Sequence, residues 1–196
     1  APQVLSYAEV LRGAPVGNKV AVIGAGGIGF DVSEYLLKPE NQPQPQPLAD
    51  WKREWGVDSN PNYMTEGGSV PAEVDHPVRE IYLLQRKTTA LGAGLGKTSG
   101  WVHRAQLKKH AVRMLRGVQY KAVTDEGLWI ESDGQAQLLR VDTVVVCAGQ
   151  ESVKEIMPSE TEVTLAKYHI IGGAKLASEL DAKRAIREGA EIAAKI

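Results

Sequence analysis

The alternation of apolar and polar positions predicts a series of short strands and helices. The continuous apolar run at residues 19–23 predicts a buried parallel strand, because such strands are covered on both faces. Glycines follow, and apolar residues then recur at helical spacing, which predicts an amphipathic helix over residues 27–37. Further apolar runs predict a second strand at residues 79–85 and a third at residues 112–115. A second helix is predicted between them, over residues 98–109.

The second half of the chain carries antiparallel signals. Apolar runs at residues 118–123, 128–131 and 137–140 are separated by Asp- and Gly-containing turns, which is typical of a β-meander. A final buried strand is predicted over residues 141–149. The order of elements predicts an α/β fold, namely a Rossmann-like three-layer nucleotide-binding domain with a parallel sheet and a β-meander crossover.

Two segments do not fit that order. Residues 38–78 predict an insertion, in which the Pro- and Gln-rich residues 41–47 are expected to be extended or mobile. Trp51 and Trp55 lie four residues apart, which favours a short helix that packs both rings on the domain. Near the C-terminus, a strand is predicted at residues 168–171 and a helix at residues 178–195, although the sheet is already complete without them.

The composition is that of a globular protein. With 196 residues, 43% hydrophobic and 24% charged, the chain has the length of one domain, or of one domain plus part of another. The net charge of −1 gives no electrostatic reason to expect nucleic acid or an anionic membrane as a partner. No apolar run reaches the roughly 18 residues of a membrane span.

The compartment is predicted from cysteine usage and from the N-terminus. The single Cys147 rules out an internal disulfide framework and a multi-thiolate metal site, and the four histidines show no metal-binding spacing. No secretory signal is recognisable, so we expect a cytoplasmic protein. Because the sequence starts at Ala1 without a methionine, we expect a processed protein or a fragment.

A G-x-G-x-x-G motif lies between the first strand and the first helix, and comprises Gly24, Gly26, Gly27, Ile28 and Gly29 with their neighbours. In such a motif Gly24 permits a sharp turn, Gly26 lets a pyrophosphate approach the backbone, and Gly29 lets the helix pack closely on the strand. The phosphates then meet the free amides and the positive end of the helix dipole. The motif and its context predict a dinucleotide site, and a purely structural glycine turn is the alternative.

The end of the second strand distinguishes NAD from NADP. An Asp or Glu at this point accepts a hydrogen bond from the ribose 2′-hydroxyl in NAD-binding proteins. Here Gln85 takes that place and is followed by Arg86 and Lys87, which can pair with a 2′-phosphate. A solvated basic pair on a loop is the alternative. Gln85 lies 61 residues after Gly24 rather than the usual roughly 20, which the insertion explains.

Other candidate contacts lie near the second helix and the last strand. Lys97, Thr98 and Arg104 surround the start of the helix, a second potential anion-binding end. Helix capping by Thr98 or by its neighbour Ser99 explains part of this pattern equally well. Ala148 and Gly149 close the last strand and can lie against the cofactor with little side-chain bulk.

No catalytic set of side chains is recognisable. Cys147, at the end of a buried strand, is interpreted as a small core residue rather than a redox group. A nicotinamide site needs no protein acid to pass hydride to a flavin, because the cofactors supply that chemistry.

Six stretches together resemble one family: residues 4–12, 20–31, 84–87, 94–104, 146–151 and 171–186. They are similar to the C-terminal part of the bacterial NADPH-dependent 2,4-dienoyl-CoA reductases, within the NADH:flavin oxidoreductase and trimethylamine dehydrogenase family. The resemblance covers nearly the whole chain, and the stretch 94–104 is its most distinctive part.

The resemblance implies an electron path. In that family an N-terminal barrel holds FMN, a 4Fe-4S cluster and the catalytic acids, and a FAD domain with an inserted NADPH domain follows it. Hydride passes from NADPH to FAD, and electrons then reach FMN, which reduces a dienoyl thioester in fatty acid β-oxidation. Residues 18–149 would be the NADPH domain, residues 1–17 a connector belonging to the FAD domain, and residues 150–196 its returning segment. Gly173 would approach FAD.

Several parts of the family pattern have no counterpart in these residues, including the barrel, the cysteine cluster and the first FAD glycine motif. We therefore expect that this chain does not turn over dienoyl-CoA alone and does not bind FAD stably. NADPH and the barrel and FAD domains of a parent enzyme are the expected partners. Two alternatives stay open: a non-catalytic dinucleotide-binding or sensing domain, and an ADP-binding domain like that of trimethylamine dehydrogenase relatives.

Overall fold

The structure is a computed structural model. It describes residues 2–39, 45–58, 68–74, 76–158, 167–178 and 181–196. The chain divides into two compact units, Ala1–Ala148 and Gly149–Ile196. Most of the Pro- and Gln-rich stretch lies outside the described residues, and so does Leu180, near the start of the predicted C-terminal helix.

The secondary structure agrees with most of the predicted order. The strands are β1 (Gln3–Ser6), β2 (Lys19–Ile23), β3 (Glu80–Leu84), β4 (Arg113–Leu115), β5 (Gln119–Thr124), β6 (Gly127–Ser132), β7 (Gln135–Leu139) and β8 (Thr143–Val146). The helices are α1 (Tyr7–Leu11), α2 (Gly27–Leu37), α3 (Leu48–Trp55), α4 (Gly100–Lys109), α5 (Gly172–Lys175) and α6 (Ala182–Ala193).

The first unit is built on a five-stranded parallel sheet with the order β1-β8-β2-β3-β4. Its central strand β2 is paired along its length with β3 on one side and β8 on the other. The antiparallel strands β5, β6 and β7 form a separate three-stranded sheet. The predicted meander is therefore confirmed, together with the α/β, Rossmann-like fold.

Alternation along the central strands divides the core into two clusters, one on each face of the parallel sheet. One cluster faces the helices α2 and α4 and is called the helix-side cluster; the other faces the meander and is called the meander-side cluster. Val20 and Val22 belong to the first, whereas Ala21 between them belongs to the second. Successive side chains of a strand point to opposite faces, so each strand supplies both layers. The helix-side cluster includes Phe30 and Leu36 of α2 and Leu107 of α4, and the meander-side cluster includes Leu128 and Ile130 of β6 and Leu139 of β7.

The sheet has an edge strand that the sequence pattern did not predict. Residues of β1 pair with β8 in parallel, and α1 follows directly, capped by Ser6. The Ser6 hydroxyl accepts from the Glu9 amide, and the Glu9 carboxylate accepts from the Ser6 amide. This reciprocal capping box stabilises a helix too short to form on its own.

The insertion docks on α4 through the predicted helix α3. Gln106 Nε2 donates to Glu54 Oε1 at 2.7 Å, and Lys109 Nζ lies 4.0 Å from the centroid of the Trp55 ring. The Trp51 ring is 6.3 Å from that of Trp55, but 43% of Trp51 is exposed. Trp55 thus packs against α4 as expected, whereas Trp51 packs against the Trp55 ring and stays partly exposed.

The second unit differs from its prediction at one element. Residues 168–171 are not a strand, because no described strand lies beside them to supply ladder hydrogen bonds. The short helix α5 follows, and α6 occupies most of the predicted C-terminal helix. Asp181 caps α6 by accepting from the Arg184 amide at 2.8 Å. Across the described parts of the chain, no helix is both long enough and apolar enough to cross a lipid bilayer.

Gly29→Ala should destabilise the first unit, whereas Gly27→Ala should not. A Cβ at Gly29 would lie 1.8 Å from the Gly24 carbonyl oxygen, which is backbone and cannot move away easily. A Cβ at Gly27 would meet nothing within 4 Å. We expect Gly29→Ala to lower the free energy of unfolding by about 1–3 kcal/mol, measured by urea denaturation. Equal unfolding midpoints for the two variants would contradict the close contact.

Candidate functional site

The glycine motif forms a sharp turn where three strands end. The Gly24 amide donates to the Leu84 carbonyl at 2.9 Å, and the Cys147 amide donates to the Ile23 carbonyl at 2.8 Å. Gly24 has φ 109°, and a Cβ there would lie 3.0 Å from the Cys147 carbonyl oxygen. Only glycine fits this position. The turn therefore lies at the carboxyl ends of β2, β3 and β8, the edge where open α/β sheets bind ligands.

The N-terminus of α2 faces open space. Gly26 is its N-cap residue, no side chain of the described residues caps it, and no acidic residue lies in its first turn. Added Cβ atoms at Gly26 and Gly27 would meet nothing within 4 Å. The amides of the first turn are thus available to an anion, and the helix dipole favours one.

A cleft of about 400 Å³ opens at this turn. Its walls include six residues that matter for binding: Gly24, Gly26, Arg86, Lys87, Tyr120 and Ala148. None of the described residues that line it is acidic. The cleft thus joins the glycine turn to the basic loop after β3, two features that are far apart in sequence.

Gln85 organises the basic loop rather than facing the cleft with a free amide. Its side-chain Nε2 donates to the carbonyl of Lys87 at 3.0 Å and to that of Thr89 at 2.6 Å. Its backbone is fixed as well, since its amide donates to the Leu115 carbonyl and its carbonyl accepts from the Val118 amide. The predicted nucleotide-binding residue Gln85 therefore lies at the cleft and holds the loop that carries Arg86 and Lys87.

Three predicted site residues near α4 lie outside the lining of the cleft. Lys97 and Thr98 are exposed on the preceding loop, where the Thr98 carbonyl accepts from Trp101 Nε1 at 3.0 Å. Arg104 Nη1 donates to the Gly92 carbonyl at 3.0 Å, which fixes the glycine-rich loop. Ser99 is the N-cap residue, and its side chain makes no cap hydrogen bond. Contact of these three residues with a cofactor stays a prediction.

The remaining predicted site residues either pack in the core of the first unit or belong to the second unit. Ile28 is half-buried and packs on the helix-side cluster, and Gly29 is buried behind the turn. Gly149 and Gly173 belong to the second unit, where Gly173 is part of α5. The amide of the neighbouring Gly172 donates to Glu188 Oε2 at 2.7 Å.

The pattern of the sequence did not point to Tyr120, which comes from the meander strand β5 and lines the cleft. The sequence carried one usable signal, since Gly117 turns the chain directly from β4 into β5, beside the end of β3. Its amide donates to the Lys87 carbonyl at 3.0 Å. That bond ties the start of the meander to the basic loop.

The family model of the pyridine nucleotide-disulphide oxidoreductases matches residues 2–173. The chain belongs to this family. Membership implies an oxidoreductase module of a protein that binds FAD and a pyridine nucleotide.

Two solved structures share the fold. A 2-naphthoyl-CoA reductase, solved with 2-naphthoyl-CoA, aligns with 98% of this chain at TM-score 0.63 and 18% identity. A 6-hydroxypseudooxynicotine amine oxidase from Pseudomonas geniculata N1 aligns with 79% of it at TM-score 0.52 and 13% identity. The chain spans 23% of the first protein and 18% of the second.

Cys147 packs as a core residue at the end of β8. It is the single cysteine of the 196 residues and packs against the helix-side cluster. Burial raises the pKa of its thiol to about 12, so the thiol stays protonated and unreactive near neutral pH. Among the described residues, no three His, Cys, Asp or Glu side chains come close enough together to hold a metal ion.

Gln85→Ala should loosen the basic loop without unfolding the sheet. The substitution removes the donor shared by the Lys87 and Thr89 carbonyls, but leaves the backbone hydrogen bonds of residue 85 in place. We expect faster hydrogen–deuterium exchange in peptides covering residues 86–90 and 116–118, with unchanged exchange in β2. Gln137→Ala, at an exposed position of β7, is the control. Unchanged exchange in Gln85→Ala would show that the loop holds its conformation without this side chain.

Proposed function

We propose that this chain is the NADPH-binding part of a flavin-dependent oxidoreductase. The observation that supports it most directly is the cleft in which the glycine turn meets Arg86 and Lys87. A dinucleotide with a 2′-phosphate carries negative charge at two separated places, the pyrophosphate and the adenosine ribose. The cleft offers a matching group at each.

The residues present fit such a dinucleotide. The open space above Gly26 and Gly27 leaves room for a pyrophosphate at the backbone amides of α2. Arg86 and Lys87 add two cations to the lining, and among the described residues no carboxylate lines the cleft to repel a 2′-phosphate. Ala148 presents only a methyl group to the space beside the turn.

The reaction is proposed from what the dinucleotide supplies. NADPH carries a hydride that it can give to a flavin, and the described side chains of the cleft bind and orient it without taking part in proton transfer. Arg86 and Lys87 fix the ribose end, and the turn fixes the pyrophosphate. The position of the nicotinamide is then set by two anchored groups rather than by a catalytic side chain.

The flavin and the final acceptor are proposed from the resemblance to the dienoyl-CoA reductases. Residues 18–149 would be the NADPH domain of a longer enzyme, and residues 1–17 and 150–196 parts of its FAD domain. FMN and a 4Fe-4S cluster would lie on a further domain, together with the site for an unsaturated acyl-CoA. The 2-naphthoyl-CoA reductase, named for a CoA thioester, supports that substrate class. Besides NADPH, the proposed partners of this chain are the barrel and FAD domains of the longer enzyme. The proposed location of that enzyme is the cytoplasm.

The second unit offers little for FAD by itself. The Gly172 amide already donates to Glu188, so it is not available to a phosphate. Arg184 lies against the same carboxylate, with its Nε 3.7 Å from Glu188 Oε1. We therefore expect that a stable FAD site is completed by the FAD domain of the longer enzyme.

Calorimetric titration should give tighter binding of NADPH than of NADH. Arg86→Ala and Lys87→Ala should each weaken NADPH by about 10-fold or more, because a charged phosphate contact contributes about 1.5–3 kcal/mol. NADH should change little. Lys108→Ala, which removes an exposed cation of α4 outside the cleft, is the control.

Other results would identify another function. Equal affinity for NADPH and NADH in the unaltered chain would remove the role of the 2′-phosphate. Tight binding of ADP with no added affinity from the nicotinamide half would favour an ADP-binding domain. Binding of none of the three nucleotides would contradict the proposed function.

A further inference from the structure

The meander places one aromatic side chain in the cleft. Strands β5 to β7 cover the face of the parallel sheet opposite α2, and their apolar side chains fill the meander-side cluster. Tyr120 is different, because it packs against that cluster and also lines the cleft. It is the only residue of the antiparallel sheet among the described residues that line the cleft.

A β-bulge lies directly after Tyr120. Tyr120 is opposite Ile130 and Ala122 is opposite Trp129, so Lys121 is an extra residue in β5. Bulges bend a strand and re-aim its side chains, and they occur often beside functional sites. Tyr120 therefore lies next to a bend in β5, with its ring packed against the meander-side cluster.

The phenol has a charged neighbour in the cleft. Burial raises the pKa of Tyr120 to about 12, and the positive charge of Arg86 opposes part of that rise. The phenol is therefore neutral near pH 7 and carries a proton that it can donate. No described residue forms a hydrogen bond with its hydroxyl group.

We propose that the Tyr120 hydroxyl donates a hydrogen bond to the 2′-phosphate of the bound dinucleotide, beside Arg86, and so contributes to specificity for NADPH. This inference rests on the proposed function. A hydrogen bond to a charged acceptor is stronger than one to a neutral hydroxyl, so the same donor favours a 2′-phosphate over the 2′-hydroxyl of NADH. Tyr120 would thus read the same group as the basic loop, from the other sheet.

The test compares Tyr120→Phe with the unaltered chain by calorimetry. Phenylalanine keeps the ring that packs on the meander-side cluster and removes only the hydroxyl. Tyr35→Phe is the matched control, since Tyr35 is half exposed on α2 and does not line the cleft. The probes are NADPH and NADH, together with adenosine 2′,5′-bisphosphate and 5′-AMP, which isolate the 2′-phosphate from the nicotinamide.

We expect Tyr120→Phe to weaken NADPH and adenosine 2′,5′-bisphosphate by about 10-fold, with NADH and 5′-AMP unchanged. Tyr35→Phe should bind all four probes like the unaltered chain. Equal weakening of all four probes by Tyr120→Phe would overturn the proposal and indicate a general contact with the adenosine. Unchanged preference for the 2′-phosphate in Tyr120→Phe would overturn it as well.

The two proposals can fail separately. If the unaltered chain does not prefer NADPH over NADH, the proposed function fails at the 2′-phosphate, and the assignment of Tyr120 fails with it. If the unaltered chain prefers NADPH and Arg86→Ala removes that preference, the function stands whatever Tyr120→Phe shows. Circular dichroism of Tyr120→Phe would establish that both comparisons use folded protein.

Discussion

The structure of the first unit depends on the close approach of two backbone segments, the carbonyl of Gly24 and the Cα of Gly29. A side chain at Gly29 would collide with the Gly24 carbonyl, and one at Gly24 would be strained by its positive φ and tight against the Cys147 backbone. This contact brings the first turn of α2 directly over the ends of β2, β3 and β8. The positive end of the helix therefore lies at the edge of the sheet, where the basic loop also begins.

The two faces of the parallel sheet supply different groups to the cleft at that edge. The helix side supplies the turn and the amides of α2, which suit a phosphate of any dinucleotide. The meander side supplies Tyr120, and the loop after β3 lies between the two. Because adjacent residues of each strand enter opposite clusters, both layers are anchored to the same central strands. Groups from distant parts of the chain thus meet in one cleft.

The sequence predicted the elements whose signals are local. The turn at Gly24, the helix α2 and the meander were all recognisable, because each depends on spacing or on turn residues within a few positions. The edge strand β1 was missed, since it consists of four residues and is defined by its pairing with β8. The predicted strand at residues 168–171 was wrong for the converse reason, because an apolar run forms a strand only where a partner strand exists.

The residues of the candidate site were likewise predictable where their signals are local in sequence or follow from strand order. Arg86 and Lys87 follow a strand whose neighbour is known, so their place at the cleft could be inferred from topology. The hydrogen bonds of the Gln85 side chain could not, because they depend on the course of the loop that they stabilise. Tyr120 was missed because aromatic residues of a meander are ordinary core residues, and the turn at Gly117 was the one sign that the start of the meander lies beside the end of β3. Arg104 is the opposite case, a basic residue near a helix start whose guanidinium is engaged by the Gly92 carbonyl.

The bonds of Gln85 bear on how such a protein could change its nucleotide during evolution. The direct route to an NAD site is a carboxylate at the end of the second strand, as many dinucleotide-binding domains have. In this chain a carboxylate at residue 85 would face two carbonyl oxygens that now receive hydrogens, and it has none to give. The loop would have to be rebuilt in the same step. If the cleft binds NADPH as proposed, the coupling between this side chain and its neighbouring backbone would protect that preference, because a single substitution at residue 85 would disturb the loop before it created an NAD site.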